Sequence, residues 1–170
     1  LDLTVDKLSY KQRELGRLTM NAENRDGYWN ARIDLRNDDA DLKGTMRWRP
    51  AAKGAAPAET LLDFDLDAKN AEKLLGRIGY ADSLRRGTAR LDGKLAWRGA
   101  PFPIDYPTLT GNLRAEAAGG QFAKLEPGVG RLLGVLSLQS LPRRITLDFR
   151  DIFSEGFAFD KIEGKFDVAR

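Results

Sequence analysis

Apolar and polar residues alternate one by one along most of this chain, and this period constrains its fold more than any other feature. Successive side chains of a β-strand point to opposite faces, so the alternation predicts strands with one apolar and one polar face. In segment 61–67, Leu62, Phe64 and Leu66 alternate with three aspartates. The other alternating segments are 1–6, 15–20, 29–35, 42–48, 89–97, 109–115, 145–150, 157–160 and 162–168.

A short helix is predicted over residues 70–78. Asn70 is a favourable N-cap, and Gly79 is a favourable stop. Between them Leu74 and Leu75 lie on the same predicted helix side as Ile78.

A second helix is predicted between Pro127 and Pro142, over residues 128–141. Its apolar residues repeat at i, i+3, i+4 and i+7, which is typical of one apolar helix face. They are Val129, Leu132, Leu133 and Leu136.

The pattern predicts a mainly β, mostly antiparallel fold of about ten strands with two short helices. Each strand has one charged face, which suits a sheet that water covers on one side. The apolar face needs cover, because large exposed apolar patches are rare unless they are functional. Two short helices are too small to cover it. The sheet therefore either folds onto itself as a sandwich or curls around something that is not protein.

The composition excludes several classes of function. The chain has no cysteine and no histidine, which excludes disulfides, thiolate nucleophiles and Cys/His zinc sites. It also lacks the commonest general base. Its net charge is +3, with both signs interspersed, so the basic patch of a nucleic-acid binder is missing. We predict no cofactor, no metal and no nucleic-acid partner.

Two groups of carboxylates are candidates for a catalytic or metal site. Asp38, Asp39 and Asp41 do not match a calcium-loop pattern, and a solvated turn is the favoured interpretation. The aspartates of segment 61–67 share one strand face, where we expect them to meet water and pair with Arg or Lys on neighbouring strands. The sequence therefore predicts that the protein is not an enzyme.

The length predicts one domain, residues 1–170. The longest apolar-rich stretch, residues 128–141, is shorter than the ~20 residues of a membrane-spanning helix. Because the chain opens inside an alternating segment, we expect it to be a piece of a longer protein, with any export signal or anchor outside it.

Two segments resemble the C-terminal region of the YhdP family, a branch of the AsmA-like proteins of Gram-negative bacteria. They are residues 128–144, Gly-Val-Gly-Arg-Leu-Leu-Gly-Val-Leu-Ser-Leu-Gln-Ser-Leu-Pro-Arg-Arg, and residues 147–160, Leu-Asp-Phe-Arg-Asp-Ile-Phe-Ser-Glu-Gly-Phe-Ala-Phe-Asp. Segments 8–11, 15–18 and 93–99 are similar in style and less specific.

The resemblance implies a periplasmic lipid-transfer module. Its fold is expected to be a curled, taco-shaped β-sheet with a hydrophobic groove, as in bridge-like lipid-transfer proteins. The implied partner is phospholipid moving between inner and outer membranes, with the outer-membrane surface or an outer-membrane protein at the distal end. The parent protein is expected to be anchored in the inner membrane. The alternative is a non-enzymatic β-sandwich that docks an envelope protein.

The resemblance also turns the apolar strand faces into candidates for the groove floor, although the pattern alone favours ordinary core. The candidates are Leu3, Val5, Leu62, Phe64, Leu66, Leu91, Leu95, Trp97, Ile145, Leu147, Phe149, Phe157, Phe159, Ile162 and Phe166. Helix 128–141 is expected to cap or gate the groove. A plug is favoured over a membrane-surface helix because Arg131 is its single cation.

Arg143 and Arg144 follow the second predicted helix directly. They are weak candidates for contact with a lipid headgroup. The favoured interpretation is that they are cations placed well at a helix C-terminus.

Overall fold

The computed structural model describes residues 1–10, 12–51, 57–122 and 157–168, with the backbone alone at Phe157. Eight described strands form one sheet, and each strand pairs antiparallel with the next one in the chain. Their bounds are β1 Asp2–Tyr10, β2 Arg13–Arg25, β3 Tyr28–Arg36, β4 Ala40–Arg49, β5 Glu59–Ala68, β6 Leu84–Arg98, β7 Thr110–Phe122 and β8 Phe157–Val168.

The sheet is unclosed, because β1 and β8 are its two outer strands. The prediction of a mainly β, antiparallel, curled groove-type sheet is confirmed. The sandwich alternative is not what the described residues form, since all eight strands belong to one sheet.

The strand boundaries differ from the prediction at the C-terminal end. Segments 157–160 and 162–168 were predicted as two strands, and the structure joins them in β8. The apolar phase slips by one residue within β8, between Phe159 and Ile162. The slip lies opposite Gly119 of β7, whose φ is 63°. Segment 145–150 lies outside the described residues.

The apolar phase also slips in segment 15–20, between Leu15 and Leu18, and Gly16 lies at this slip. Gly16 has a φ of 126° and pairs with Leu8, beside a register shift in β1. Glycine adopts this backbone conformation at little steric cost, so the strand absorbs the irregularity and keeps its apolar side chains on one face.

The registers align apolar residues in rows that run across the strands. A row at mid-strand consists of Leu3, Met20, Ile33, Gly44, Phe64, Gly93, Leu113 and Phe166. Such cross-strand neighbours are the contacts that stabilise a sheet face. The alternation of the sequence therefore becomes an apolar face that all eight strands share.

Helix α1, Ala71–Ile78, connects β5 to β6, and the helix predicted over 70–78 is confirmed. The Asn70 side chain accepts a hydrogen bond from the Lys73 amide at 3.0 Å, which satisfies one free N–H of the first turn. Gly79 ends the helix with a φ of 106°. Ala71 packs with Leu84 of β6 and Phe159 of β8 in the buried cluster of the molecule.

An ion pair ties the C-terminal turn of α1 to the β3–β4 turn. Arg77 Nε donates to Asp39 Oδ2 at 2.7 Å, and Arg77 Nη1 donates to the Glu14 carbonyl at 3.2 Å. The expected solvated turn is thus wrong for Asp39, which is only 4% exposed. Its carboxylate is buried because a distant cation meets it there.

Candidate functional site

The apolar face of the sheet, here called the floor, is the candidate site. Ten predicted groove residues share this face by their strand registers. They are Leu3, Val5, Leu62, Phe64, Leu66, Leu91, Leu95, Trp97, Ile162 and Phe166.

Phe159 lies at the α1 end of the floor, where it is 8% exposed and packs against Phe122 with ring centroids 5.1 Å apart. Phe157 pairs with Phe122 through its backbone. The remaining candidates lie outside the described residues. They are Ile145, Leu147, Phe149, Val129, Leu132, Leu133, Leu136, Arg143 and Arg144.

The structure adds floor residues that the sequence reasoning left out. Their strands had been predicted, and the alternation that found the other candidates would have found these as well. They are Leu18, Met20, Ile33, Leu35, Leu42, Met46 and Leu113, which the registers place beside the predicted candidates.

The floor is only partly buried. Leu62, Phe64 and Leu66 are half-buried, whereas Leu3 at the β1 edge is 39% exposed. Phe64 stands between Gly44 and Gly93 of the neighbouring strands. A Cβ at Gly93 would overlap the backbone carbonyl oxygen of Asn112, so glycine is needed for this close approach. The ring of Phe64 is therefore flanked on both neighbouring strands by a glycine, which has no side chain.

The size of the floor follows from strand geometry. Eight strands have seven spacings of about 4.8 Å, which gives a row length of about 34 Å. Along a strand, eight residues separate Thr60 from Ala68, which is about 27 Å. Both lengths are on the scale of a lipid molecule.

The α1 rim is the end of the floor where the helix packs. Ala40, Ala68, Ala89, Ala117 and Ile162 form its row across the strands. Leu75 of α1 lies against the buried cluster beside this row. Small side chains in the row leave room for the helix, so this end is closed by apolar packing.

The opposite end, here called the tryptophan rim, holds all three tryptophans of the chain in one row. Trp29 pairs with Trp48, and Thr60 pairs with both Trp48 and Trp97. Trp97 is 3% exposed, and its Nε1 donates to the Ala100 carbonyl at 2.9 Å. Trp48 Nε1 is buried and has no hydrogen-bond partner within the described part of the chain.

A loop beside the tryptophan rim connects β6 to β7 and includes the 3-10 helix Tyr106–Thr108. Two aromatic side chains of this loop face solvent, since Phe102 is 72% and Tyr106 is 74% exposed. Internal hydrogen bonds hold the loop, including one from Thr108 Oγ1 to Asp105 Oδ2 at 2.9 Å. This rim is therefore aromatic both on the floor and in its loop.

The other face of the sheet is charged. Lys94 pairs with Asp63 and Arg90 with Asp67, each at 3.4 Å, as predicted for the aspartates of β5. An open cavity of about 1010 Å³ is lined by residues of both faces, with charged residues such as Arg32 and Asp63 beside floor residues such as Leu62. Its charged residues disfavour apolar ligands at that part of the lining, because their entry would strip water from charged groups.

Exposed ion pairs set the electrostatics of the charged face. Lys69 donates to Asp41 at 2.9 Å, and this bond lowers the pKa of the Asp41 carboxyl and raises the pKa of the Lys69 amine. Lys161 pairs with Glu163 in the same way, which raises the pKa of Lys161 and lowers that of Glu163. Both shifts of each pair favour the charged forms, which are also the forms that these groups ordinarily have at neutral pH.

Within residues 1–10, 12–51, 57–122 and 157–168, no group of acidic side chains is placed to hold a metal ion. Among the helices of that same part of the chain, none is long and apolar enough to cross a bilayer.

Comparisons with known proteins point to one family. A family model described as "YhdP protein" matches residues 1–170. The "Intermembrane phospholipid transporter YhdP" of Escherichia coli (strain K12) is 38% identical over 86 residues. That match covers 50% of this chain and 7% of the relative, so the chain spans a small part of that protein's length. No solved structure matches.

Proposed function

The chain belongs to the YhdP family, and from that premise we propose that its floor shields phospholipid acyl chains during transport between the inner and outer membranes. The relative in Escherichia coli is named as an intermembrane phospholipid transporter, and this supports a lipid-transport role. The shielding role of the floor is our proposal for this chain.

One observation carries the proposal: apolar rows cross all eight strands of an unclosed sheet without a charged residue. The row through Leu3 and Phe64 crosses all eight, and the row through Leu62 crosses the seven strands β2 to β8 with Ala22, Ala31, Met46, Leu62, Leu95, Gly111 and Val168. Each acyl CH₂ that leaves water for such a surface gains about 0.8 kcal/mol. Because neighbouring positions along a row are chemically alike, a lipid meets little difference as it moves from strand to strand.

Partial exposure of the floor separates this proposal from an ordinary core. A core leucine or phenylalanine is normally fully buried. Here Leu62, Phe64 and Leu66 stay half-buried at the centre of the sheet. Among the described elements, α1 packs on this face, and it does so at one end. The middle of the floor therefore keeps surface that a lipid can cover.

The proposed mechanism needs no catalytic residue and no cofactor. The floor covers part of the acyl-chain surface and so lowers the free energy of a lipid in an aqueous compartment. The charged face keeps the module hydrated. We place the module in the periplasm, as part of a protein anchored in the inner membrane, with its distal end at the outer-membrane surface or an outer-membrane protein. Helix 128–141 stays a predicted cap, and Arg143 and Arg144 stay weak candidates for headgroup contact.

The test is a pair of substitutions on neighbouring residues of β5. Phe64→Asp places a carboxylate on the floor, and Asp65→Asn changes the charge on the opposite face of the same strand. We expect phospholipid to co-purify with the native chain and with Asp65→Asn, and to be lost from Phe64→Asp. Native mass spectrometry measures the bound lipid.

Circular dichroism must show native strand content in each variant, because a charge at Phe64 can also unfold the sheet. If the folded Phe64→Asp protein retains as much lipid as the native chain, the floor is not the site. If the native chain carries no lipid at all, the lipid-transfer proposal fails, and a module that docks an envelope protein becomes the better interpretation.

A further inference from the structure

We propose that a phospholipid lies on the floor in one orientation, with its glycerol at the tryptophan rim and its chain ends toward the α1 rim. The inference rests on the proposed function and adds the direction of the bound molecule. It also assigns Trp48 as a hydrogen-bond donor to the lipid.

The row at the tryptophan rim differs chemically from the other rows of the floor. Reading across the strands it consists of Asn24, Trp29, Trp48, Thr60 and Trp97. Indole rings have an apolar body and one polar N–H, and tryptophan is enriched where hydrocarbon meets the headgroup region of a bilayer. The other full rows described above carry no polar side-chain atom except the thioether sulfur of methionine. The polar part of a lipid therefore has one matching row.

Trp48 gives this match a specific contact. Its side chain shares the floor with Trp29 and Thr60, and its buried Nε1 has no acceptor within the described residues. A buried donor without a partner is unfavourable, so such a group points to a missing acceptor. Ester carbonyl and phosphate oxygens of a glycerophospholipid are acceptors at the depth of the glycerol.

Two indole N–H groups of the tryptophan rim differ in their hydrogen bonding. Trp97 Nε1 already donates to the Ala100 carbonyl at 2.9 Å, and Trp97 is buried. Trp97 thus supports the rim as part of the protein core. Trp48 keeps its donor for a ligand.

The α1 rim suits the other end of the lipid. Ala71 and Leu75 of the helix pack there with Leu84 and Phe159, and the cluster is entirely apolar. One bilayer leaflet is about 15 Å of hydrocarbon, half of the ~30 Å core. The floor extends about 27 Å from the tryptophan row to the alanine row, given ~3.4 Å per residue. Acyl chains that start at the tryptophan row therefore end on the floor before they reach α1.

The orientation can be measured with probes at the two rims. The chain has no cysteine, so a single introduced cysteine takes a bimane fluorophore uniquely. Asn24→Cys lies in the tryptophan row, and Ile162→Cys lies in the alanine row at 37% exposure. Both native side chains are exposed, so a label there disturbs packing little.

Each labelled protein is loaded with phosphatidylcholine that carries a nitroxide either near the glycerol or near the end of one acyl chain. We expect the near-glycerol nitroxide to quench the Asn24 probe at least about twofold more than the chain-end nitroxide does. The Ile162 probe should show the reverse. For each labelled protein, the quenching by the near-glycerol nitroxide is divided by the quenching by the chain-end nitroxide. Differences in lipid occupancy between the two labelled proteins cancel in this ratio.

The outcomes separate this inference from the proposed function. Equal ratios at both probes, with lipid bound, overturn the orientation and leave lipid binding intact. A reversed pair of ratios places the glycerol at the α1 rim and also overturns it. Absence of bound lipid by native mass spectrometry defeats the proposed function and the inference together.

Trp48→Phe tests the donor itself, because it keeps a ring and removes the N–H. We expect about three- to tenfold weaker binding of phosphatidylcholine, the effect of one buried hydrogen bond. An ether-linked analogue, which lacks ester carbonyls, identifies the acceptor. A loss that persists with the ether lipid assigns the phosphate, and a loss confined to the ester lipid assigns the carbonyl. Unchanged binding of both lipids overturns the role of Trp48.

Discussion

The two rims of the floor are built in different ways. At the α1 rim a helix packs on alanines and phenylalanines, and the Arg77–Asp39 pair fastens it to the β3–β4 turn. At the tryptophan rim the floor ends in three indoles, and the adjoining loop presents Phe102 and Tyr106 to solvent. The difference teaches that the aromatic rings of the α1 rim are packed inside the protein, whereas the tryptophan rim combines the buried Trp97 with aromatic side chains that are exposed to solvent.

The largest expected contrast compares a phenylalanine from each rim. Phe159→Ala removes a buried ring from the α1 rim, and we expect it to lower the free energy of unfolding by about 3 kcal/mol. Phe102→Ala removes an exposed ring beside the tryptophan rim, and we expect a change within about 0.5 kcal/mol. Urea denaturation followed by circular dichroism measures both. Equal losses for the two variants would mean that the loop is packed as tightly as the α1 rim.

A smaller effect is expected from the pair that fastens the helix. Asp39→Ala leaves Arg77 without its carboxylate, and we expect a loss of about 1–2 kcal/mol, reduced from the value for a fully buried pair because the Arg77 side chain is 31% exposed. The matched control is Asp38→Ala, which removes the adjacent exposed carboxylate and should change stability by less than about 0.5 kcal/mol. Thermal unfolding distinguishes them. If Asp38→Ala lowers the stability as much as Asp39→Ala does, the turn and not the ion pair holds the helix.

The smallest effect concerns Asp41, which follows the same turn and pairs with Lys69. This bond lowers the pKa of the Asp41 carboxyl below its ordinary value of 3.8. A lowered pKa in the folded state gives stability that is present above the ordinary value and is lost as the pH falls through the lowered one.

Asp41→Asn should therefore be slightly less stable than the native chain at pH 7, and the difference should close below about pH 4, near the usual range for aspartate. Melting temperatures from pH 7 to pH 3 measure this. A difference that is independent of pH would show that the effect of the substitution does not come from the charge of Asp41.

Much of the fold could be predicted, because it rests on local chemistry. The alternation placed Leu62, Phe64 and Leu66 on one strand face, and the N-cap Asn70 with the stop Gly79 located α1. These signals lie within a few residues of the structure that they determine. The prediction of two strands in place of β8 shows the limit, since the compensating Gly119 is on another strand.

The rims could not be predicted from the sequence, since they depend on contacts between distant residues. Asp39 meets Arg77 across 38 positions, and nothing in the run Asn-Asp-Asp-Ala-Asp distinguishes this carboxylate from its neighbours. The tryptophan row requires the registers of four strands, β3 to β6, before residues 29, 48 and 97 align. The alternation assigns a face to each residue, and only the loop lengths and turns assign its position along that face.

The unclosed sheet makes the size of the floor adjustable. Each further antiparallel strand would lengthen a row by about 4.8 Å and leave the chemistry of the existing positions unchanged. A closed barrel cannot grow this way, because its strand number fixes its diameter. Duplication of a hairpin would therefore lengthen such a floor by about one nanometre.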